Sequence, residues 1–254
     1  VPFIIIKNTE LNMARNFKNG YYEPVAIGQF MTALGVAENP SVALETTWQI
    51  QWPKLGVFQN LHTDELIVLC GKPGIGKSRL MLELAWGVSN VQALLFATYD
   101  LSTKMAVARL IDTAHLNSVG FEPRMTVDGL MKNERLLFDE HVLFDFDVWA
   151  ERMRKCCEDH KIKVLLIDDL NHMGNAMNII DVCMLLSKLK AFARTNGICL
   201  LCSYQVDRFE LRSKLMHYVH RLITLERSEA QKSILILEKS NYANVGISDV
   251  LDWQ

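Results

Sequence analysis

The segment Gly71-Lys72-Pro73-Gly74-Ile75-Gly76-Lys77-Ser78 decides the fold of this chain. An apolar run over residues 66 to 70 leads into it, and a helical pattern over residues 77 to 89 leads out of it. A loop of the form G-x-x-x-x-G-K-[ST] between a buried strand and a helix binds phosphate groups, because its backbone N–H groups and the positive helix N-terminus face the anion. The sequence therefore predicts a nucleotide-binding domain built around this loop.

The loop also predicts which residues contact a bound Mg-ATP. We expect Lys77 to reach the β- and γ-phosphates, and we expect the Ser78 hydroxyl to bind Mg²⁺. The other residues expected around the phosphates are Gly71, Lys72, Pro73, Gly74, Ile75, Gly76 and Arg79.

An acid that completes the Mg²⁺ shell is expected where a buried strand ends near this loop. Residues 164 to 167 are all apolar, as in a central parallel strand, and Asp168 and Asp169 follow them. Ligands of open α/β sheets bind at the carboxyl ends of the strands. Asp168 is therefore the predicted metal ligand, and Asp169 is either a solvated neighbour or an indirect partner.

Hydrolysis also requires a carboxylate that orients water beside the γ-phosphate. Asp100 follows the apolar run of residues 93 to 98 and precedes a helix that Ser102 is expected to cap. Asp100 is therefore the predicted catalytic carboxylate. In the alternative interpretation, Asp100 and Ser102 only begin the helix.

Apolar runs alternate with helical patterns from residue 66 onward, which is typical of βαβ units and of a mostly parallel, twisted sheet covered by helices. Strands are predicted at residues 66 to 70, 93 to 98, 136 to 138, 164 to 167 and 198 to 203. Helices are predicted at residues 77 to 89, 102 to 115, 147 to 160 and 179 to 195. Residues 220 to 225 and 233 to 238 are predicted to close this α/β domain as an antiparallel edge.

The first 55 residues differ from the rest because Asn, Gly and Pro, which interrupt helices and strands, recur along them. Their one helical pattern covers residues 24 to 34. We predict a short linker or docking arm over residues 1 to 55 and the ATPase domain over residues 56 to 254. The apolar stripe of the arm could pack on its own domain or on a neighbouring subunit.

The net charge of −2 and the pI near 6.4 give no global basic field, so nucleic-acid binding would depend on local clusters of Lys and Arg. The cysteines lie mostly in apolar runs, as in reduced cytosolic proteins. Cys199 and Cys202 are expected on opposite faces of a strand rather than on a shared metal. No apolar run approaches the ~18 residues of a membrane span, so we expect a cytoplasmic protein, or one in the compartment of replicating DNA.

With these pieces in order, residues 52 to 250 resemble the DnaB-like replicative helicases, which are RecA-type hexameric ATPases. Residues 98 to 102, followed by Arg109 and Leu110, are similar to the family's Ser-Leu-Glu-Met-Ser block, whose acid is catalytic. This resemblance assigns the acid to Asp100, one methylene shorter than Glu. Residues 164 to 173 resemble the Walker B strand and the Gln-Leu-Met after it, which places the family's metal-binding Asp at Asp168.

Two later blocks extend the resemblance. Residues 202 to 208 are similar to Leu-Ser-Gln-Leu-x-Arg, which implies that Gln205 senses the γ-phosphate ahead of a DNA-binding loop, although this loop is short here. A Gln that only caps a neighbouring loop is the alternative. Residues 237 to 241 resemble the Lys-x-Arg segment that a neighbouring subunit directs at the ATP. Lys239 keeps the Lys, whereas Asn241 replaces the Arg.

The loss of this arginine leaves two interpretations open, because Asn cannot supply its bidentate charge. Another basic residue, such as Arg227 or Arg221, could serve across the subunit interface. Alternatively, hydrolysis is slow and its coupling is altered. The segment from Lys239 to Tyr242 also resembles plasmid RepA-type hexameric helicases of the same superfamily.

The resemblance implies a homo-hexameric ring on single-stranded DNA, with other replication proteins as further partners. Arg208, Arg212 and Lys214 are expected to contact the strand in the ring channel, unless they form a solvated helix face. We expect an ATP-dependent DNA helicase. The alternatives are a DNA-associated ATPase without unwinding and, less in keeping with the strand-end pattern, a small-molecule kinase.

Overall fold

The computed structural model describes residues 17–18, 21–22, 47–48, 56–58, 61–115, 125–141, 145–173, 179–206, 209–228, 232–241, 246 and 248–251. The chain divides into two units, Val1–Thr47 and Trp48–Gln254. In the first unit, Phe17–Lys18 pairs with Tyr21–Tyr22 in antiparallel fashion. The helix predicted at residues 24 to 34 lies outside the described residues. Short strands also occur at Thr47–Trp48 and Leu61–His62, and a 3-10 turn covers Gly56–Phe58.

One eight-stranded sheet organises the second unit. Its strands are β1 (Leu66–Gly71), β2 (Leu94–Thr98), β3 (Leu136–Asp139), β4 (Val164–Asp168), β5 (Cys199–Gln205), β6 (Arg221–Arg227), β7 (Ser233–Ser240) and β8 (Ser248–Leu251). They lie side by side in the order β8-β7-β6-β1-β5-β4-β2-β3. The five predicted central strands are thus confirmed, each to within two residues at either end.

The pairing from β6 through β1, β5, β4, β2 to β3 is parallel, and only β7 and β8 run antiparallel. The predicted antiparallel pairing of the runs 220 to 225 and 233 to 238 is confirmed, but the first of these strands also pairs parallel with β1, so the purely antiparallel edge is β7 and β8. A crossover that includes a short helix connects β5 to β6, and such crossovers join parallel strands. The antiparallel edge begins after β6, where Ser228 N donates to Lys232 O over 2.8 Å.

Helices cover both faces of the sheet. They are α1 (Lys77–Ser89), α2 (Thr103–His115), α3 (Val127–Met131), α4 (Phe146–Asp159), α5 (Ile179–Asn196) and α6 (Phe209–Leu215). The four long helices agree with the predicted ones, and Met105 N donates to Ser102 Oγ as the expected cap of α2. The patterns of α3 and α6 were too short to be recognised in the sequence.

Two apolar clusters fill the space between the sheet and its helices. One joins alternate strand residues such as Leu69 and Phe96 to α1 and α2, and the other joins the intervening residues, such as Val68, to α4 and α5. Cys199 belongs to the first cluster and Cys202 to the second, so the two thiols do lie on opposite faces of β5. The fold is a doubly covered α/β sheet, as predicted.

A buried ion pair fixes the amino-terminal edge of this sheet. Arg221 Nε lies 3.0 Å from Glu65 Oε1, and the two side chains are 2% and 0% exposed. A second guanidinium nitrogen of Arg221 donates to Val57 O over 2.9 Å. Across the described ranges, no helix combines the length and the apolar character that a membrane crossing requires.

Candidate nucleotide-hydrolysis site

The phosphate loop is formed by the end of β1 and the start of α1. Gly71 must be glycine, because a Cβ there would lie 2.8 Å from the carbonyl oxygen of Leu225 on β6. Gly76 precedes α1 with φ of 110°, a left-handed conformation that favours glycine. No side chain caps the first turn of α1, so its backbone N–H groups face an incoming anion.

Lys77 lies beneath the loop. Its Nζ donates to the carbonyl oxygens of Gly71 and Lys72, both over 3.0 Å, and the residue is 7% exposed. A buried ammonium group beside these glycines is placed to meet phosphate oxygens without leaving its helix. The prediction that Lys77 contacts the phosphates is compatible with this geometry.

Asp168 ends β4 with a fully buried side chain. Ser203 on the adjacent strand β5 donates from Oγ to Asp168 Oδ1 over 2.5 Å. Burial raises the pKa of Asp168, and the nearby Asp100 adds to this, whereas the hydroxyls of Ser203 and Ser78 and the charge of Lys77 oppose it. Ser78 and Lys77 are thus close enough to Asp168 to influence its ionisation.

The second carboxylate oxygen of Asp168 shows how the site accommodates a cation. Oδ2 is buried and, among the described residues, has no hydrogen-bond partner. A buried carboxylate oxygen without a donor is unfavourable unless a positive charge approaches it. Two hard oxygen ligands, Asp168 Oδ2 and Ser78 Oγ, fit the preference of Mg²⁺ for oxygen ligands beside substrate phosphates.

The turn after Asp168 connects two strand ends. Asp169 caps a 3-10 turn, Leu170–His172, by accepting from Asn171 N over 2.5 Å. Asn171 Oδ1 in turn accepts from Gln205 N over 2.9 Å. Burial, as the largest cause, raises the pKa of Asp169 to about 6. Asp169 therefore holds the turn, while Asn171 fixes the end of β5.

Gln205 lies beside the phosphate loop, because it pairs with Gly71 across β1 and β5. Val206 N donates to Gly71 O over 3.3 Å, so the residue after Gln205 is also bound to the loop. The Gln205 side chain is exposed. The position predicted to sense the γ-phosphate is therefore held from both sides while its amide stays accessible.

Asp100 follows β2, next to Asp168 at the same edge of the sheet. Its side chain is 52% exposed, and His172 Nε2 lies 3.5 Å from Asp100 Oδ1. Ser102 does begin α2, as the alternative interpretation expected, because it accepts from Met105 N. Glu140 accepts from Thr103 N, whereas the Asp100 side chain makes no cap contact within the described residues. Sequence reasoning missed His172, and no local pattern indicated it.

A cavity of about 600 Å³ adjoins the phosphate loop. Its walls are residues 71 to 75 on one side and Val206, Arg212, Thr224, Leu225, Glu226 and Arg227 on the other. Its position next to the loop and its polar wall along β6 suit the sugar and base of a nucleotide. Sequence reasoning did not identify β6 as part of the site.

The structure places Arg212 in this wall, away from the role expected for it at a nucleic acid. Its guanidinium lies 2.7 Å from Glu226 Oε1 and 3.0 Å from Glu238 Oε1, and the side chain is 14% exposed. Two carboxylates already neutralise this charge. Lys214, two residues on, is exposed, and Arg208 lies outside the described part of the chain.

Three other basic residues of the prediction lie outside the centre of the site. Lys239 Nζ donates to the carbonyls of Met216 and Val219, the latter over 2.7 Å, at the end of β6 opposite the phosphate loop. Arg79 pairs with Glu83 within α1 over 2.9 Å. Arg221 is bound to Glu65 in the interior, so it is excluded as a cationic group that serves a neighbouring subunit.

A phosphate loop, a buried strand-end acid and a polar strand end, gathered at one edge of a mostly parallel sheet, define a RecA-like P-loop ATPase domain. The family model of the DnaB-like helicase C terminal domain matches residues 56–215, more than half of the chain. The chain belongs to the DnaB-like helicase family. It is accordingly an ATP-hydrolysing enzyme.

The fold has a close counterpart among solved structures. The structure described as "ATPase Domain of G40P" superposes with a TM-score of 0.62 and 15% sequence identity, over 76% of this chain and 86% of that chain. At this identity the likeness concerns the fold alone. No curated protein matches the chain significantly.

Proposed function

We propose that this chain is the motor subunit of a ring-shaped DNA helicase, which hydrolyses Mg-ATP to move along single-stranded DNA. The observation that carries the proposal is the convergence of Lys77, Asp168 and Asp100 at one edge of the parallel strands, in a chain of the DnaB-like family. The same edge carries Gln205 ahead of a loop. Loops at this edge face the central channel of a RecA-type ring.

The residues of the site divide the work of hydrolysis among them. Lys77 and the N–H groups of the phosphate loop bind the phosphates, while Ser78 and Asp168 would hold Mg²⁺, which neutralises charge on the phosphate oxygens when bound. Asp100 orients the attacking water, and Gln205 detects whether the terminal phosphate is present. The cavity along β6 takes the sugar and base.

We assign the contacts with single-stranded DNA to Arg208 and Lys214, on the segment that follows Gln205. Lys214 is exposed, whereas the charge of Arg212 is neutralised by Glu226 and Glu238. Few cations are needed on each subunit, because a homo-hexameric ring repeats them around the strand. This symmetry reconciles DNA binding with a net charge of −2.

A second candidate function is a DNA-associated ATPase that does not unwind. Asn241, at the position where the family's finger arginine is expected, favours it, because a subunit without that arginine supplies less charge to its neighbour's transition state. Arg221 is buried against Glu65 and cannot replace the missing arginine, which also favours this second candidate. Unwinding of a forked duplex separates the two candidates, since only the first predicts strand separation.

The proposal is tested by measuring ATP hydrolysis and native mass with and without an unstructured DNA oligonucleotide. We expect a ring-sized assembly in the presence of a non-hydrolysable ATP analogue, and DNA stimulation of hydrolysis by about 10-fold or more. Lys214→Glu should weaken this stimulation, whereas Lys155→Glu, a matched change at an exposed lysine of α4, should not. A persistent monomer whose hydrolysis ignores DNA would overturn the proposal.

A further inference from the structure

Within the described ranges, His172 is the group that the structure places at ion-pair distance from the Asp100 carboxylate. Nε2 lies 3.5 Å from Oδ1, and the two side chains are 49% and 52% exposed. A half-exposed aspartate can rotate about two side-chain bonds. A carboxylate that must hold water in line with a phosphorus atom works only in one orientation.

The imidazole itself is presented by a fixed turn. Leu170 and Met173 anchor the Leu170–His172 turn in the core, at 0% and 3% exposed, and Asp169 caps it. Asn171, on the same turn, accepts from Gln205 N over 2.9 Å. One turn between two strand ends therefore contacts both the water-orienting acid and the strand that carries the phosphate sensor.

The sequence departs from the family at both members of this pair. Asp100 stands where the family block has Glu, and His172 stands where the Leu of Gln-Leu-Met falls when Met173 is matched to the Met. Asp is one methylene shorter than Glu, and an imidazole stands where the family block has the apolar side chain of Leu. The two departures lie 3.5 Å apart.

We infer that His172 is a positioning residue for Asp100, whose imidazole orients the shorter carboxylate toward the attacking water. The contact of 3.5 Å is longer than a hydrogen bond, and it shortens when nucleotide and water fill the site, as catalytic contacts commonly do. The inference rests on ATP hydrolysis at the proposed site. It does not depend on translocation or unwinding.

The first test compares steady-state ATP hydrolysis by the full chain and its His172→Leu variant. We expect kcat to fall about 10-fold while KM for ATP changes less than about 2-fold, because the contact acts on the water and not on nucleotide binding. His172→Gln, whose amide can still donate to Asp100, should retain about half of kcat or more. His160→Leu, at the exposed histidine directly after α4, is the matched control.

The second test exchanges both members of the pair. Asp100→Glu alone should lower kcat about 10-fold, because the longer side chain clashes with the His172 imidazole. Asp100→Glu combined with His172→Leu should recover kcat to within about 3-fold of the parent. Losses that simply multiply in the double variant would overturn the inference. So would parental kcat and KM in His172→Leu.

These outcomes are separate from a failure of folding or of the proposed function. His172 is half exposed, so its replacement leaves the unfolding midpoint in urea close to that of the parent, which identifies a folded variant. A chain that hydrolyses ATP without unwinding DNA removes the helicase proposal and leaves this one standing. If the parent unwinds DNA and His172→Leu hydrolyses ATP at the parental rate, the helicase proposal stands and the inference about His172 is removed.

Discussion

Asp168 shows at the level of a single residue how folding and catalysis make opposite demands. Its side chain is fully buried, Oδ2 has no hydrogen-bond donor among the described residues, and burial raises its pKa above the ordinary value of 3.8. The ionised carboxyl is therefore less favourable in the folded than in the unfolded chain. This penalty is absent below pH 3.8 and complete once pH exceeds the raised pKa.

Replacing Asp168 by Asn should separate these demands. The Asn oxygen can still accept from Ser203, and the buried negative charge is gone, so we expect the free energy of unfolding at pH 7 without nucleotide to rise by about 1 kcal/mol. Hydrolysis of Mg-ATP should fall at least about 100-fold, because the metal loses an anionic ligand. Urea unfolding and steady-state kinetics measure the two effects, and an active or destabilised variant would contradict the assignment.

At the level of elements, β6 has a different role at each end. Its carboxyl end lines the cavity beside the phosphate loop with Glu226 and Arg227. Its amino end carries Arg221, whose pairing with Glu65 is almost completely buried. Burial raises the pKa of Glu65, and the charge of Arg221 opposes that rise. One strand thus joins the nucleotide site to the place where residues 56–58 meet the sheet.

Arg221→Met should destabilise the domain by about 3–5 kcal/mol, because it leaves the Glu65 carboxyl buried without a partner. Glu65→Leu combined with Arg221→Met should recover most of that loss, since an apolar pair of similar volume avoids the desolvation of two charges. Urea unfolding of the four proteins in this cycle measures the coupling. If the double variant is as unstable as Arg221→Met alone, the loss in Arg221→Met does not come from an unpaired Glu65 carboxyl.

The sequence predicted elements best where a single stretch carried the whole signal. The runs over residues 66–70, 164–167 and 198–202 are apolar throughout because both faces of their strands are buried, and the phosphate loop has a fixed spacing of residue types. The parallel direction of β6 was missed, because the residues of a strand do not specify which other strand it pairs with. Short elements such as α6 and β8 carry too few residues to show a period.

The same reasoning separates the predictable from the unpredictable part of the site. The position of Asp168 and Asp100 at one edge of the sheet was predictable, because each comes after an apolar run and strand ends gather at one edge of a parallel sheet. His172 and Glu226 reach the site through contacts between segments that are far apart in sequence. Arg212 was expected at a nucleic acid because its helix is basic, yet two acids from β6 and β7 neutralise it.

At the level of the whole molecule, Lys239 lies away from the phosphate loop of its own chain. Lys239 pairs with Leu222 on β6, and Leu222 pairs with Val68 on β1, which places Lys239 roughly 10 Å along the strands from Gly71. Lys239 therefore lies too far back to serve its own phosphate loop. Its Nζ is bound to the carbonyls of Met216 and Val219, so Asn241, which is exposed, is the residue of this segment that we propose faces a neighbouring subunit.

Asn241→Arg should raise hydrolysis if this edge faces a neighbouring nucleotide. Asn241 is exposed, so the longer side chain can extend without disturbing the core. We expect kcat to rise about 10-fold or more, because a finger arginine stabilises charge in the transition state. The gain should vanish on dilution below the assembly concentration, and a gain that persists in the monomer, or no gain in the assembled ring, would contradict the trans arrangement.

The most direct test of the central claim, that this edge of the sheet binds and hydrolyses ATP, is Lys77→Ala. We predict that hydrolysis falls at least about 100-fold and that binding of a fluorescent ATP analogue weakens, because the buried ammonium group beside the phosphates is lost. Lys155→Ala, at an exposed lysine of α4, should behave like the parent. Parental binding and hydrolysis by a folded Lys77→Ala chain would contradict the account.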